Sequence, residues 1–244
     1  MAHDFFYAPP SRITGSELVI EGNEFRHLVH VLRRKQGDEI QVVDGAGGEY
    51  VAVIGTLTRT AARCSILSRR PGLDESPVPL DLGVGILKNP ARFEFLVEKA
   101  AELGVRSIVP LQTARTVPQQ AKEERWQNLA VAAMKQSGRS ILTRIAPLTP
   151  LAGFLGSTPA GALRLLAGIN AGTPMLRLLL AQRGRQSIAV CVGPEGGFTD
   201  EELSAAADSG FQVVSLGRAR LRTETAAIAA AALCAISASM PPDR

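Results

Sequence analysis

Aromatic residues are scarce in this 244-residue chain, which has one Trp, two Tyr and eight Phe. That scarcity excludes the interleaved basic and aromatic stripes on which single-stranded nucleic acids stack. Phe5, Phe6 and Tyr7 are instead expected to pack into a small N-terminal barrel. Cysteine is scarcer still. Cys64, Cys191 and Cys234 are scattered and form no CxxC pair, so neither a zinc site nor a disulfide framework is indicated. Cys191 sits in the apolar run Ile188 to Val192 and is expected to be a small buried hydrophobe. His27 and His30 are three residues apart, but no further His or Cys lies nearby to complete a metal shell, and no metal is expected. No Ser/His/Asp or Cys/His pair suggests a nucleophile. Long hydrophobic runs are also missing. The most apolar stretch, between Glu224 and Asp243, is mostly alanine and about 15 residues long, below the roughly 18–20 that span a bilayer. Met1-Ala2-His3-Asp4-Phe5-Phe6 has no cationic segment followed by an apolar one, so no secretory signal is expected. These absences predict a soluble, cytoplasmic protein.

What is present fits a globular chain with ample core. Hydrophobic residues make up 45% of the chain and charged residues 20%, which excludes disorder as a whole-chain reading. The net charge is +4, from 27 basic and 23 acidic residues. A polyanionic partner is permitted by that margin and not demanded. A boundary is read at Pro71-Gly72-Leu73-Asp74-Glu75-Ser76-Pro77-Val78-Pro79, where three prolines and polar residues make a linker. Residues 1–72 carry 9 basic and 8 acidic groups and residues 73–244 carry 18 and 15. Any nucleic-acid footprint must therefore come from clustering and not from bulk charge.

The two sides of the linker differ in pattern. Residues 1–72 hold short β-branched runs at 18–20, 39–43, 50–57 and 63–67. Asp44-Gly45-Ala46-Gly47-Gly48 is predicted as a hairpin loop. A helix is predicted over 24–34, with Phe25, Leu28, Val29 and Leu32 on one face. This is a small β-rich module. Residues 73–244 alternate strand and helix. Strands are predicted at 81–87, 107–111, 163–167, 187–192 and 212–216. One helix should start at Asn89-Pro90 and stop at Gly104, a second should cover 122–137, and a third should open with the capping box Thr199-Asp200-Glu201-Glu202. The last should run from 224 to 239. Alternating strands and helices imply crossover connections and a mainly parallel sheet, an α/β fold.

Ligands of such sheets bind outside the carboxyl ends of the strands. Two loops stand there near the end of the chain, Gly193-Pro194-Glu195-Gly196-Gly197-Phe198 and Gly217-Arg218-Ala219-Arg220-Leu221-Arg222-Thr223. Neither matches a phosphate-binding motif, and Gly83-Val84-Gly85 begins a GxG whose third glycine is replaced by Lys88. Glu195, Asp200, Glu201 and Glu202 crowd the start of the Thr199 helix and would repel a phosphate. A ligand with hydroxyls, an amine or another cationic centre fits better. Arg218, Arg220 and Arg222 alternate, so in extended chain they would share a face suited to a phosphate backbone. Arg33-Arg34-Lys35 ends the helix of the small module in a similar cationic segment.

These two loops, with Leu216 and the run Leu221-Arg222-Thr223-Glu224-Thr225-Ala226, resemble the RsmE-type ribosomal RNA small-subunit (16S) uridine-N3 methyltransferases, S-adenosylmethionine-dependent enzymes of the SPOUT class. The resemblance covers nearly the whole chain. His27-Leu28, Val31-Leu32-Arg33 and Gly37-Asp38 resemble the family's PUA-like RNA-binding barrel. Lys99 to Val105, Arg125-Trp126 and Gln136-Ser137-Gly138-Arg139 resemble its catalytic domain. The resemblance implies a PUA-like barrel over 1–72 and a SPOUT domain over 73–244, whose parallel sheet ends in a trefoil knot. It implies a homodimer with the C-terminal helix near the interface. It implies S-adenosyl-L-methionine as cofactor, held by Gly193, Glu195, Gly196, Gly197, Leu216, Gly217, Leu221 and Thr223. It implies 16S ribosomal RNA, or the small ribosomal subunit, as partner, contacted by Arg12, Arg26, His27, Arg33, Arg34, Arg139 and Arg220. Arg222 and Glu224 are the catalytic candidates, Arg222 for the uracil anion that forms when N3 loses its proton. Arg220, Lys135 and Thr143 depart from the family's usual residues, which are an apolar residue, an acid and a proline. Two alternatives stay open: a SPOUT methyltransferase acting on another RNA position, and a non-catalytic RNA-binding protein.

Overall fold

The computed structural model describes residues 4–72, 78–116, 121–168, 174–175, 178–179 and 187–239. Most of the expected linker, 73–77, lies outside the described residues. The chain divides into two compact units. One holds residues 1–75 and 131–142, the other 76–130 and 143–244. No sequence signal marks the return of 131–142 to the N-terminal unit, because a helix runs unbroken through residue 131.

The first unit contains β1 (Phe5–Tyr7), β2 (Ile13–Thr14), β3 (Glu17–Glu21), β4 (Glu39–Val43), β5 (Gly48–Leu57) and β6 (Ala61–Pro71). They form one sheet in the order β1-β4-β5-β6-β3-β2, with β1 parallel to β4 and the other pairs antiparallel. Register shifts between Val51 and Ala52 and between Ile54 and Thr56 interrupt the β5–β6 ladder, and such bulges bend a sheet. Phe6, Leu18, Ile20, Ile40, Val42, Ala52, Ile54 and Cys64 alternate inward from five of these strands into one core. The expected barrel is thus a sheet gathered round a single core, with β1 and β2 as its edges. Asp44 closes the β4–β5 hairpin as the glycines foretold. Its carboxylate accepts from Ala46 N at 2.7 Å, Gly48 N at 2.8 Å and the Tyr50 hydroxyl at 3.0 Å.

The helix expected over 24–34 differs in form. α1 covers Gly22–Arg26, and the chain then widens into a π-turn over His27–Val31. Leu32 N donates to His27 O and Arg34 N to Leu28 O, both at 3.0 Å. Arg33 takes the left-handed conformation, φ 53, and stops the helix in the manner usually left to glycine. Phe25 and Leu28 remain buried, so the widened turn keeps the core contacts that the periodicity foretold.

The second unit holds β7 (Leu80–Gly85), β8 (Ser107–Gln112), β9 (Arg144–Ile145), β10 (Thr149–Pro150), β11 (Leu163–Ala167), β12 (Ile188–Val192) and β13 (Gln212–Val214). All pair in parallel, in the order β10-β8-β7-β12-β11-β13 with β9 on β8. The helices are α2 (Pro90–Glu102), α3 (Glu123–Gln136), α4 (Leu151–Ser157), α5 (Asp200–Asp208) and α6 (Thr223–Ser239). β12 is buried throughout, as a central parallel strand should be. Ala189 and Cys191 face a core with Leu151, Phe154, Leu155, Ala206 and Phe211. α6 packs against α2, β7 and β12. Asn89 caps α2 by accepting from Ala91 N at 3.0 Å, and Pro90 follows at the first helical position. Thr199 and Glu202 form the expected capping box. Such caps are worth about 1 kcal/mol each.

Two of the three departures have local partners. Thr143 is buried and its hydroxyl donates to Val105 O at 2.6 Å, a bond that proline could not make. Lys135, in the part of α3 that belongs to the first unit, meets Glu24 Oε1 at 2.6 Å, while Glu24 Oε2 accepts from Tyr7 N at 3.0 Å. Nothing in the structure explains Arg220.

All three cysteines are buried and free. Loss of solvation pushes the Cys64 thiol up to about 11, the Cys234 thiol up to about 12, and Cys191 upward as well. At pH 8 the folded protein should therefore resist iodoacetamide at all three positions, and mass spectrometry should find alkylation only after denaturation. The Lys135–Glu24 pair is nearly dry, with side-chain exposures of 14% and 16%. Lys135→Glu should cost about 2 kcal/mol by facing two carboxylates, and adding Glu24→Lys should restore most of it. A thermal-unfolding double-mutant cycle with no coupling would show that the pair contributes nothing.

Candidate functional site

β7 and β8 run side by side, and β12 enters on the other flank of β7. The chain's progress across the sheet therefore reverses at the β7–β12 seam, where open α/β sheets bind ligands. Gly85 ends β7. A Cβ there would stand 2.4 Å from Pro194 N and 2.5 Å from the Pro194 ring. Only glycine lets the two carboxyl-end loops approach this closely.

The loop after β12 is a tight turn. Gly197 N donates to Pro194 O at 2.8 Å, and Gly197 has φ +70. The loop after β13 also contains a left-handed glycine, Gly217 at φ +134, and Ser215 Oγ accepts from Gly217 N at 3.2 Å. A Cβ on either Gly197 or Gly217 would meet nothing within 4 Å. The main chain at both positions thus faces open space. The Thr223 hydroxyl donates to Gly193 O at 2.9 Å and ties the start of α6 to the first loop. The two loops singled out in the sequence are brought together by this bond. Gly193 and Leu221 are half-buried, as is Leu216, and Thr223 is buried.

Charge at the rim is acidic on one side. Glu195 is exposed, and its Oε1 accepts from Lys88 N at 3.3 Å, which links the turn to the loop after β7. The Glu201 carboxyl lies below its usual range, held there by its own backbone N–H, then Thr199 and nearby Arg115. Glu202 does more than cap its helix. Its Oε2 accepts from Thr199 N at 2.9 Å and its Oε1 from Ala114 N at 2.7 Å.

Of the catalytic candidates, Glu224 is buried and Arg222 exposed. Glu224 Oε1 lies 3.7 Å from Arg92 Nε, and Oε2 has no hydrogen-bond partner among the described residues. A buried carboxylate oxygen without a donor is costly and marks a place where another group belongs. Arg218, Arg220 and Arg222 are all exposed, but residues 218–222 bend and do not form a strand. The extended strand on which the expected shared face rests does not form at these residues. Sequence reasoning missed Arg92 and Arg115. Arg115 follows β8, so the carboxyl-end rule applied to that strand would have found it.

The RNA-contact candidates fall in both units. Arg12, exposed, pairs with Glu21 at 2.7 Å. Arg26 and the left-handed Arg33 are exposed, Arg34 is half-buried, and the His27 ring centre lies 6.1 Å from that of Phe6. Arg139, in the 131–142 segment, is partly buried, and desolvation lowers its guanidinium below the usual value. Arg220 belongs to the second unit. Among the described residues no cluster of His, Cys, Asp or Glu could hold a metal ion, and no helix is long and apolar enough to cross a membrane.

The comparisons with known proteins agree on one family. A family model described as an RNA methyltransferase domain matches residues 74–235, and one described as an RNA methyltransferase PUA domain matches 20–67. The ribosomal RNA small subunit methyltransferase E of Synechocystis is 36% identical over 89% of this chain and 72% of its own length. The Bacillus subtilis protein of the same name is 27% identical, over 89% of this chain and 88% of its own. A Neisseria gonorrhoeae methyltransferase E, crystallised bound to S-adenosyl methionine, is 33% identical. It covers 94% of this chain and 95% of its own, with a TM-score of 0.84. A Legionella pneumophila methyltransferase in complex with the same cofactor is 31% identical, covers 96% and 97%, and also has a TM-score of 0.84. With both units matched in order and similarity along nearly the whole length, this chain belongs to the ribosomal RNA small subunit methyltransferase E family.

Proposed function

We propose that this protein transfers the methyl group of S-adenosyl-L-methionine to N3 of a uridine in 16S ribosomal RNA. The observation that carries the reading is the convergence of the two C-terminal loops. Thr223 is bonded to Gly193 O, and open space fronts Gly197 and Gly217. The Neisseria and Legionella relatives, which hold the methyl donor, support the cofactor. The chemistry of the donor set fits it too. Backbone at exposed Gly196 and Gly217 and half-buried Gly197 suits an uncharged adenosine, while carboxylates at the rim suit a cationic ligand and repel a phosphate. When bound, S-adenosylmethionine supplies a methyl group activated by a positive sulfur.

Gly193, Glu195, Gly196, Gly197, Leu216, Gly217, Leu221 and Thr223 would hold the donor, largely through main chain. Arg12, Arg26, His27, Arg33, Arg34, Arg139 and Arg220 would hold the RNA, the arginines through phosphate-directed contacts. The target base has to leave its stack and be aligned with the donor, and such alignment can contribute about 7–11 kcal/mol. Uracil N3 carries a weakly acidic proton. Arg222 would donate to a uracil carbonyl oxygen as the ring becomes anionic. Glu224 offers its unpartnered Oε2 as acceptor of the N3 proton, with Arg92 steadying Oε1. The same reading includes the SPOUT trefoil knot, work in the cytoplasm where ribosomes assemble, and a homodimer. Ile236 on α6 and Phe95 on the neighbouring α2 are large apolar side chains left 57% and 49% exposed, which supports pairing through that region.

Titration calorimetry should show one S-adenosylmethionine bound per chain. RNA affinity with no donor binding would favour a non-catalytic RNA-binding protein instead. Nuclease digestion and mass spectrometry of ribosomal RNA from a deletion strain should show one 3-methyluridine lost, and loss of a different methylated nucleotide would reassign the target. Arg222→Ala should keep donor affinity and lose turnover by about 10²-fold. Normal single-turnover methylation by that variant would remove Arg222 from the mechanism.

A further inference from the structure

We infer that Arg115 is a positioning residue for the methyl donor, fixing the glycine turn 193–198 in its binding shape as one half of a latch whose other half is Glu202. This rests on the proposed function, because it assigns a purpose to the same crevice. A turn with glycines at 193, 196 and 197 has more backbone freedom to lose than any other composition. If it binds a ligand through main chain, that freedom must be removed beforehand or lost on binding. Within the turn, the Gly197–Pro194 hydrogen bond fixes only one closure. Thr223 holds its first carbonyl and Lys88 its acid, and the restraint on Gly196 to Phe198 comes from the loop after β8. Arg115 Nη1 donates to Gly196 O at 2.7 Å and to Phe198 O at 3.2 Å, the carbonyls on either side of left-handed Gly197. One guanidinium nitrogen thereby sets the direction of both.

The tie is reciprocal. Loop 113–116 gives the Arg115 side chain to the turn, and α5 gives the Glu202 carboxylate back to Ala114 N at 2.7 Å. Glu202 is itself anchored by Thr199, so the latch closes on the capped end of α5. The loop's own shape is held by Thr113 N donating to Thr116 Oγ1 at 3.0 Å. Packing reinforces the bonds. The Arg115 stem lies under Gly196, where a Cβ would stand 3.2 Å from Arg115 Cβ and 3.3 Å from its Cδ. A side chain at 196 would therefore press on the Arg115 stem. Arg115 touches neither the Thr223 bond nor Glu224, so its loss should weaken donor binding and leave the chemical step intact.

Calorimetry with S-adenosylmethionine on Arg115→Ala, Arg115→Lys, Gly196→Ala and the Arg115→Ala/Gly196→Ala double variant tests this. Arg115→Ala should raise the donor Kd and KM about tenfold, with kcat at saturating donor within about threefold of wild type. Its ligand-free Tm should fall by about 4 °C or less. Arg115→Lys, which keeps the charge but replaces the planar guanidinium by a compact, strongly hydrated ammonium, should recover only part of the affinity. Gly196→Ala should lose affinity too, and the double variant should lose less than the product of the single losses. Wild-type affinity in Arg115→Ala, or a fall in kcat at unchanged Kd, overturns the latch while leaving the methyltransferase reading in place. Strictly multiplicative losses overturn it as well. If Arg115→Ala does not fold, Arg115→Lys and Gly196→Ala carry the same comparison. Failure of the wild-type protein to bind the donor defeats both the latch and the function it rests on.

Discussion

The backbone of the β12 loop lies against the last residue of β7, and much of the second unit is arranged around that approach. A Cβ at Gly85 would overlap Pro194, so the contact exists only because one strand ends in glycine. It brings the glycine turn over the seam where the strand order reverses. Glu195 can then reach Lys88 N, and Thr223 can reach Gly193 O. Loops separated by many residues in sequence become one rim through two polar contacts and one close backbone approach. Any residue larger than glycine at 85 would have to push the turn away, and the other contacts would lengthen with it.

The rim also has an electrostatic logic. Its acids are individually placed: Glu202 is fully engaged by Thr199 and Ala114, Glu195 by Lys88, and Glu201 by its own helix start. Among the described residues, Glu224 is the acid both buried and left with an unpartnered oxygen. A helix N-terminus already complemented by carboxylates has little attraction left for a phosphate. The same carboxylates would welcome a ligand carrying positive charge, and the proposed donor carries it on sulfur and on its amino group. The site's preference therefore comes from side chains that oppose the helix end.

In the first unit the candidate RNA-contact cations differ in their surroundings. Arg12 is neutralised by Glu21 and Arg139 is partly desolvated, while Arg26 and Arg33 stay in solvent. Arg33 holds a backbone conformation that L residues adopt at some cost. The π-turn before it, which follows α1, brings Arg33 to its position by a wider path than a regular helix would. Lys135 and Glu24 then fasten residues of the 131–142 segment to the same unit by a nearly dry ion pair. Lys135 is accommodated by an acid at the opposing position, Glu24, which a single sequence does not display as a pair.

Local signals fixed a great deal. Asn89-Pro90, Gly104, the Thr199–Glu202 box and the Asp44–Gly48 loop each act over a few residues through caps and turns, and each stands where it was read. The parallel character of the second sheet follows from alternating strands and helices, because crossover connections leave little choice. The glycine loops were legible as candidates by composition alone. What the sequence by itself could not decide was contact across distance. The Gly85–Pro194 approach, the Thr223–Gly193 bond, the Arg115 latch and the Arg92–Glu224 pair join residues whose separation along the chain carries no period or motif. The π-turn and the bend after Gly217 escaped for a different reason. Side-chain periodicity reports which face is buried, whereas these depend on how the backbone reaches that face once the core has formed around it.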